Sequence, residues 1–226
     1  MHLFGCAAFA LVLVLAGCTP QSMLASALIP EGTASILLGH LQGMEEANLK
    51  HVAALEARKD WDGLAKFAED NLSRDKNSAD WWFVAGYAHS QAGRHPRAVE
   101  CYSEMVRLAP DDMLGWGSLA QAYRDSKQPL RAAQTLNNAH NVRAGTSATY
   151  FLLGESYADL NRDLPAAAAY RESLKLNDEF AQAWFGLGRA SARLNRVNDY
   201  ESAMKALNKL NPVLAKELAE LRPGPR

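Results

Sequence analysis

From Ala79 to Pro212 the chain repeats itself every 34 residues, and that period leaves few folds open to it. Set in four rows starting at Ala79, Met113, Ser147 and Ala181, the residues fall into columns. One column reads Trp82, Trp116, Tyr150, Trp184; a second reads Ala85, Leu119, Leu153, Leu187; a third reads Gly86, Ala120, Gly154, Gly188. Later in the rows come Ala98, Ala132, Ala166, Tyr200, then Tyr102, Leu136, Tyr170, Met204, then Leu108, Val142, Leu176, Leu210. A fixed period of this length means a stack of like units, each completing its neighbour's core.

Each row divides into two amphipathic helices. In the second row Trp116, Leu119, Ala120 and Tyr123 recur at helical spacing, Lys127 to Pro129 interrupts, and Ala132, Ala133, Leu136 and Ala139 resume it. Pro129 stands where a second helix starts, a place where its missing N–H costs little. The small column of the first helix (Gly86, Ala120, Gly154, Gly188) is expected to face that of the second (Ala98, Ala132, Ala166), with the aromatics filling the space between rows. Helices are expected to end at Pro110, Ala144-Gly145 and Pro212.

A 34-residue helix-turn-helix unit with these aromatic, Leu-Gly and Ala columns resembles the tetratricopeptide repeat. The resemblance implies an all-α, right-handed superhelical solenoid. It covers residues 79–212 as four repeats and 45–78 weakly. There Asp60, Trp61, Asp62, Leu64 and Leu72 keep the second half in register, while Asn48 and His51 stand where large apolar residues belong. Residues 33–78 therefore read as an N-terminal helix and a degenerate repeat, as end units of solenoids commonly are. Residues 213–226 read as a capping helix and tail, carried by Val213, Leu214, Leu218 and Leu221. Tyr200 departs from the pattern, placing bulk where the family has alanine.

At the other end, the first 18 residues hold no Lys, Arg, Asp or Glu, and Leu3 to Ala16 is almost wholly apolar. A transmembrane helix needs ~20 such residues, so this run suits a signal-peptide core. It closes in Leu15-Ala16-Gly17-Cys18, which resembles the lipobox of bacterial lipoproteins. The resemblance implies a signal peptide over 1–17, acylation of Cys18, and a lipidated tether over 18–32. One acyl chain binds a membrane marginally; two or more hold it stably. Thr19, rather than Asp, after the cysteine implies the outer membrane, facing the periplasm. The tether, extended at ~3.3 Å per residue, spans roughly 45 Å.

The remaining composition removes function classes. The 24 basic and 25 acidic side chains are mixed, with no basic run. A nucleic-acid binder wants a clustered basic face, and none is expected here. Cys101 is left alone once Cys6 departs and Cys18 is acylated, so it reads as a packing residue. There is no HExxH, CxxC, Walker-type loop or GxSxG. Gly186-Leu187-Gly188 lies inside an expected helix and follows no strand, so it lacks the context of a dinucleotide fingerprint. His89 stands where Tyr123 and Tyr157 do and reads as packing. No enzyme activity, metal, cofactor or small-molecule substrate is expected.

What remains is a surface. In the family the first helices line a concave groove, which here implies a protein-binding face of Phe83, Tyr87, Gln121, Arg124, Phe151, Glu155, Phe185 and Arg189. Aromatics and arginine are interface-anchoring residue types. Phe83 and Tyr87 stand where carboxylate-clamp members place Lys and Asn, which argues against such a clamp. The expected function is a lipid-anchored periplasmic scaffold for a protein partner, resembling the repeat lipoproteins of pilus assembly, both type IV pilotins and the Flp type. The alternative is an adaptor for soluble envelope enzymes such as peptidoglycan hydrolases. Replacing Cys18 by Ser is expected to abolish palmitate incorporation and move the protein from the membrane to the soluble fraction. Labelling that survives the substitution contradicts the lipobox reading.

Overall fold

The structure, a computed structural model, describes residues 36–41 and 43–222. The expected signal peptide, Cys18 and the tether lie outside the described residues. Within them the chain is all helix: α1 Ile36–His40, α2 Glu46–Ala57, α3 Trp61–Leu72, α4 Ala79–Gln91, α5 His95–Leu108, α6 Met113–Asp125, α7 Pro129–Val142, α8 Ser147–Asp159, α9 Asp163–Leu176, α10 Ala181–Arg193, α11 Val197–Leu210 and α12 Pro212–Ala219. Helices α2 to α11 make five antiparallel pairs, each packed against the next.

The turn inside each pair is set by one residue. Lys59, Gly93, Lys127, Asn161 and Asn195, spaced 34 apart, adopt φ of 54°, 73°, 59°, 56° and 54°. Each lets the following N–H reach a carbonyl five residues back: Asp60 to Leu55, Arg94 to His89, Gln128 to Tyr123, Arg162 to Tyr157, Arg196 to Ser191. That is the hydrogen-bond pattern of a Schellman stop. Gly93 and the two asparagines enter this region readily, whereas a lysine accepts ~1–2 kcal/mol of steric cost. Because Lys59 belongs to the same series, residues 46–72 form a full unit in register.

Side-chain caps start several helices. Asp60, Ser78, Asp112, Thr146 and Asn211 accept first-turn N–H groups of α3, α4, α6, α8 and α12. Pro129 and Pro212 open α7 and α12. The tryptophan column does more than fill space. The indole Nε1 of Trp82, Trp116 and Trp184 donates to the carbonyl six residues earlier, on Lys76, Pro110 and Asp178, at 2.9, 2.8 and 2.6 Å. Each first helix is thereby tied to the loop that feeds it. Tyr150 lacks the indole N–H and instead lies against the His140 ring at 4.2 Å.

The glycine column corrects one expectation. Gly86 and Gly154 face the rings of Tyr102 and Tyr170, not the alanines. A Cβ at Gly86 would lie 2.7 Å from the Tyr102 ring, and one at Gly154 2.6 Å from that of Tyr170. Gly186 of the next unit meets the other side of the fully buried Tyr170. The ring needs more room than an alanine pair would leave, and glycine on both flanks supplies it. At the C-terminal end Tyr200 proves to be a clasp. It is buried and its hydroxyl donates to the Leu218 carbonyl of α12 at 3.0 Å. Leu218 in turn covers Gly188. Two members of the last apolar column are not core: Val142 and Leu176 are 50% and 57% exposed.

Gly154→Ala is expected to destabilise the protein by about 1–3 kcal/mol through overpacking against Tyr170, although alanine has the higher helix propensity. Urea unfolding measures this, and an unchanged midpoint contradicts it.

Candidate functional site: the concave face

Helix α6 touches α8, and α8 touches α10, while second helices of neighbouring units make no comparable contact. The first helices therefore sit on the inside of the curve. Along this inner side the aromatic members of the expected face divide into covered and open positions.

Phe83 is 1% and Phe151 6% exposed, so neither is a free anchor. This corrects the sequence expectation for both. Phe83 lies beneath the His40 ring of α1, with centroids 4.5 Å apart. Phe151 is covered by Phe180, the residue preceding α10, at 4.8 Å and adjoins Tyr170 at 6.0 Å. Tyr87, Gln121, Arg124, Glu155, Phe185 and Arg189 are partly buried and remain on the face.

Four of these join in one polar ladder across three first helices. Arg124 of α6 donates through Nε to Asp159 at 2.8 Å, through Nη2 to Glu155 at 3.3 Å, and through Nη1 to Gln121 Oε1 at 3.2 Å. Gln121 Nε2 donates onward to Asp125 at 2.8 Å. Arg189 of α10 donates to Glu155 from the far side at 3.2 Å. Glu155 also accepts the Tyr170 hydroxyl from below. Spacings of 31 to 35 residues mean that each bond ties one unit to the next. Tyr87 repeats the device further up, its hydroxyl donating to Glu56 of α2 at 2.9 Å with its ring edge-on to Trp61.

The electrostatics follow from partial burial. Burial pulls the Arg124 guanidinium down, but Asp159 and Glu155 outweigh it and hold it above its ordinary value. Arg189 is raised in the same way by Glu155 and the Tyr170 hydroxyl. Burial, followed by the Glu155 charge and hydrogen bond, pushes the Tyr170 phenol well up, so it remains a donor. Both arginines thus stay charged, each held by a carboxylate of a neighbouring unit. Beside the ladder the partly buried Phe185 ring carries the Arg189 guanidinium at 5.8 Å from its centroid.

A second relay lies outside the face. Arg94 Nε donates to His89 Nδ1 at 2.9 Å, so the ring proton sits on Nε2 and donates to Glu69 at 3.2 Å. Burial holds His89 below its ordinary pKa. Arg94 also pairs with Asp62 of the preceding unit. His89 is therefore a packing and relay residue. Cys101 is 3% exposed and burial pushes its thiol up to about 11, which makes it inert. Among the described residues no group of three His, Cys, Asp or Glu could hold a metal, and no helix is long and apolar enough to cross a membrane.

Sequence reasoning missed Asp159, the Tyr170 hydroxyl and His40 at this face. Asp159 follows Glu155 by one helical turn and could have been read from that spacing. The Tyr170 hydroxyl left no such signal, and the expected N-terminal helix gave none that it would lie over Phe83. Glu155→Gln is expected to cost about 1–3 kcal/mol, because Arg124, with 11% of its side chain exposed, loses half of its charge partners. Glu100→Gln, an exposed partner of Arg97, is expected to cost under about 0.5 kcal/mol. Equal effects in urea unfolding would sink the ladder as a stabilising element.

Comparison with known proteins agrees with this geometry. The sequence model of the tetratricopeptide repeat family matches residues 56–113, 83–148 and 151–210. A TPR repeat-containing protein of Methanocaldococcus jannaschii, MJ1428, is 27% identical over 93 residues, 38% of this chain and 16% of that protein. The chain thus spans well under a fifth of the curated relative it matches. Among solved structures, MamA superposes with a TM-score of 0.62 at 19% identity, over 78% of this chain and 96% of MamA. TTC0263, a thermophilic TPR protein of Thermus thermophilus, gives 0.59 at 20% identity over 79% and 98%. YrrB, described as a TPR protein with an unusual peptide-binding site, gives 0.62 at 14% over 83% and 100%. These likenesses show the fold, a right-handed superhelical solenoid.

Proposed function

Because the chain belongs to the tetratricopeptide repeat family, a family of protein-interaction scaffolds, we propose that it is a lipid-anchored scaffold of the bacterial envelope. It holds a protein segment on the concave face of α6, α8 and α10 and serves the assembly of a pilus or secretion complex. The carrying observation is the ladder from Gln121 and Arg124 through Glu155 to Arg189. It fixes three first helices in one rigid surface and leaves Phe185 partly open beside it. A face preorganised in this way spends little on ordering when a partner docks. Leu15 to Cys18 supports the anchor and Thr19 the outer membrane. That YrrB is described by its peptide-binding site supports a peptide-like ligand.

The test is photo-crosslinking in cells from Gln182 on the face and from Gln134, which is exposed on the second helix α7. Crosslinks from Gln182 to an envelope-assembly component, lost with Cys18→Ser, are expected; a hydrolase captured there instead identifies the enzyme-adaptor role. With the captured partner purified, Phe185→Ala is expected to cost about 2 kcal/mol of binding, and Glu100→Gln nothing measurable. Identical crosslinks from Gln182 and Gln134 would show that the concave face is not the working one.

A further inference from the structure

Helix α1 is only five residues long, Ile36–His40, too short to hold itself in water. Its order comes from where it lies. Leu37 and Leu41 are both 0% exposed and belong to the same apolar cluster as Phe83. Between them His40 covers the Phe83 ring and brings its Nε2 to 3.3 Å from Asp112, the residue that caps α6. Phe83 holds the same place in its unit as Phe151 and Phe185 hold in theirs, the floor of the concave face. A segment that precedes the repeats therefore occupies the inner side of α4, where a bound peptide would lie.

We infer that α1 is a built-in ligand, and that the partner segment taken by this end of the groove carries the same chemistry: leucine, then histidine or another nitrogen hydrogen-bond donor three residues on, then leucine at the fourth. These three positions share one helix face. Two leucines fill the apolar floor and the ring nitrogen meets Asp112. The inference rests on the proposed peptide-binding role of the concave face and names its ligand class.

Displacement of α1 is feasible for two reasons. Gly39 sits inside the helix and lowers its propensity, while a Cβ there would meet nothing within 4 Å. Asp112 also borders an open cleft of about 820 Å³, lined by Leu108, Pro110, Met113, Leu114 and Arg143. A longer partner gains contacts there that α1 lacks. Because α1 is joined to α2 by a short loop, its effective concentration is on the order of millimolar. It therefore lowers a partner's apparent affinity by the fraction of time the groove is closed.

The test uses a fluorescent peptide of residues 34–44 added in trans to the full chain and followed by anisotropy. Leu37→Ala with Leu41→Ala in the protein opens the groove and is expected to strengthen peptide binding at least about tenfold. Gly39→Ala strengthens the plug with no new contact and is expected to weaken binding about two- to fivefold. Asp112→Asn keeps the α6 cap and is expected to weaken binding to the opened protein about three- to tenfold. A peptide with Leu37 and Leu41 replaced by alanine is expected to bind none of them. Circular dichroism checks that each variant is folded, and Gly39→Ala, which removes no contact, keeps the test decisive if the double variant is not. Peptide affinity that is equal across the folded proteins, or unaffected by loss of Leu37 and Leu41, overturns the inference. Since no natural partner is needed, that failure is separate from failure of the scaffold reading, which shows as absent crosslinks from Gln182.

Discussion

The left-handed residue that ends each first helix is the constraint on which the other features depend. At Lys59, Gly93, Lys127, Asn161 and Asn195 the chain stops one helix and reverses into the next with one hydrogen-bond geometry. Five identical reversals place second-helix side chains at the same height against first helices in every pair. Only then does the Tyr102 ring meet Gly86 and the Tyr170 ring meet Gly154. Two of the five positions are lysine, so local preference does not set the turn alone. The packing gained on either side of it outweighs a steric cost of ~1–2 kcal/mol.

With the pairs so fixed, the first helices fall on the inside of the curve and the polar ladder becomes possible. Arg124, Glu155 and Arg189 lie on separate helices and meet only because successive units are offset by a constant step. Partial burial makes these pairs worth more than the exposed Arg97–Glu100 pair, where solvent and side-chain entropy cancel most of the gain. The same burial removes them as free charges. The concave face along α6, α8 and α10 is therefore cross-braced from unit to unit, with Phe185 partly open beside the bracing.

The floor of that face is handled differently along its length. Phe83 is covered by α1 and Phe151 by Phe180 from the neighbouring unit, while Phe185 remains partly open under Arg189. Equivalent positions in the repeat thus have unequal availability. The difference comes from what lies over each, a property of the ends and loops rather than of the repeat itself.

Sequence by itself determined the period, the two helices per unit, the family and the helix that follows the last repeat, because these rest on local spacing and on the pattern that recurs every 34 residues. It also brought together Gln121, Arg124, Glu155 and Arg189, since register places them on one side of successive first helices. Tertiary structure alone decided that Phe83 and Phe151 are floor and not anchors, that the glycines admit tyrosine rings, that tryptophan N–H groups tie each helix to its loop, and that Tyr200 clasps α12. The physical reason is the same in each case. A column states which residues share a height and a face, but exposure and hydrogen bonding depend on what a distant segment lays over that face, and nothing in the period of 34 encodes where α1 or Phe180 will lie.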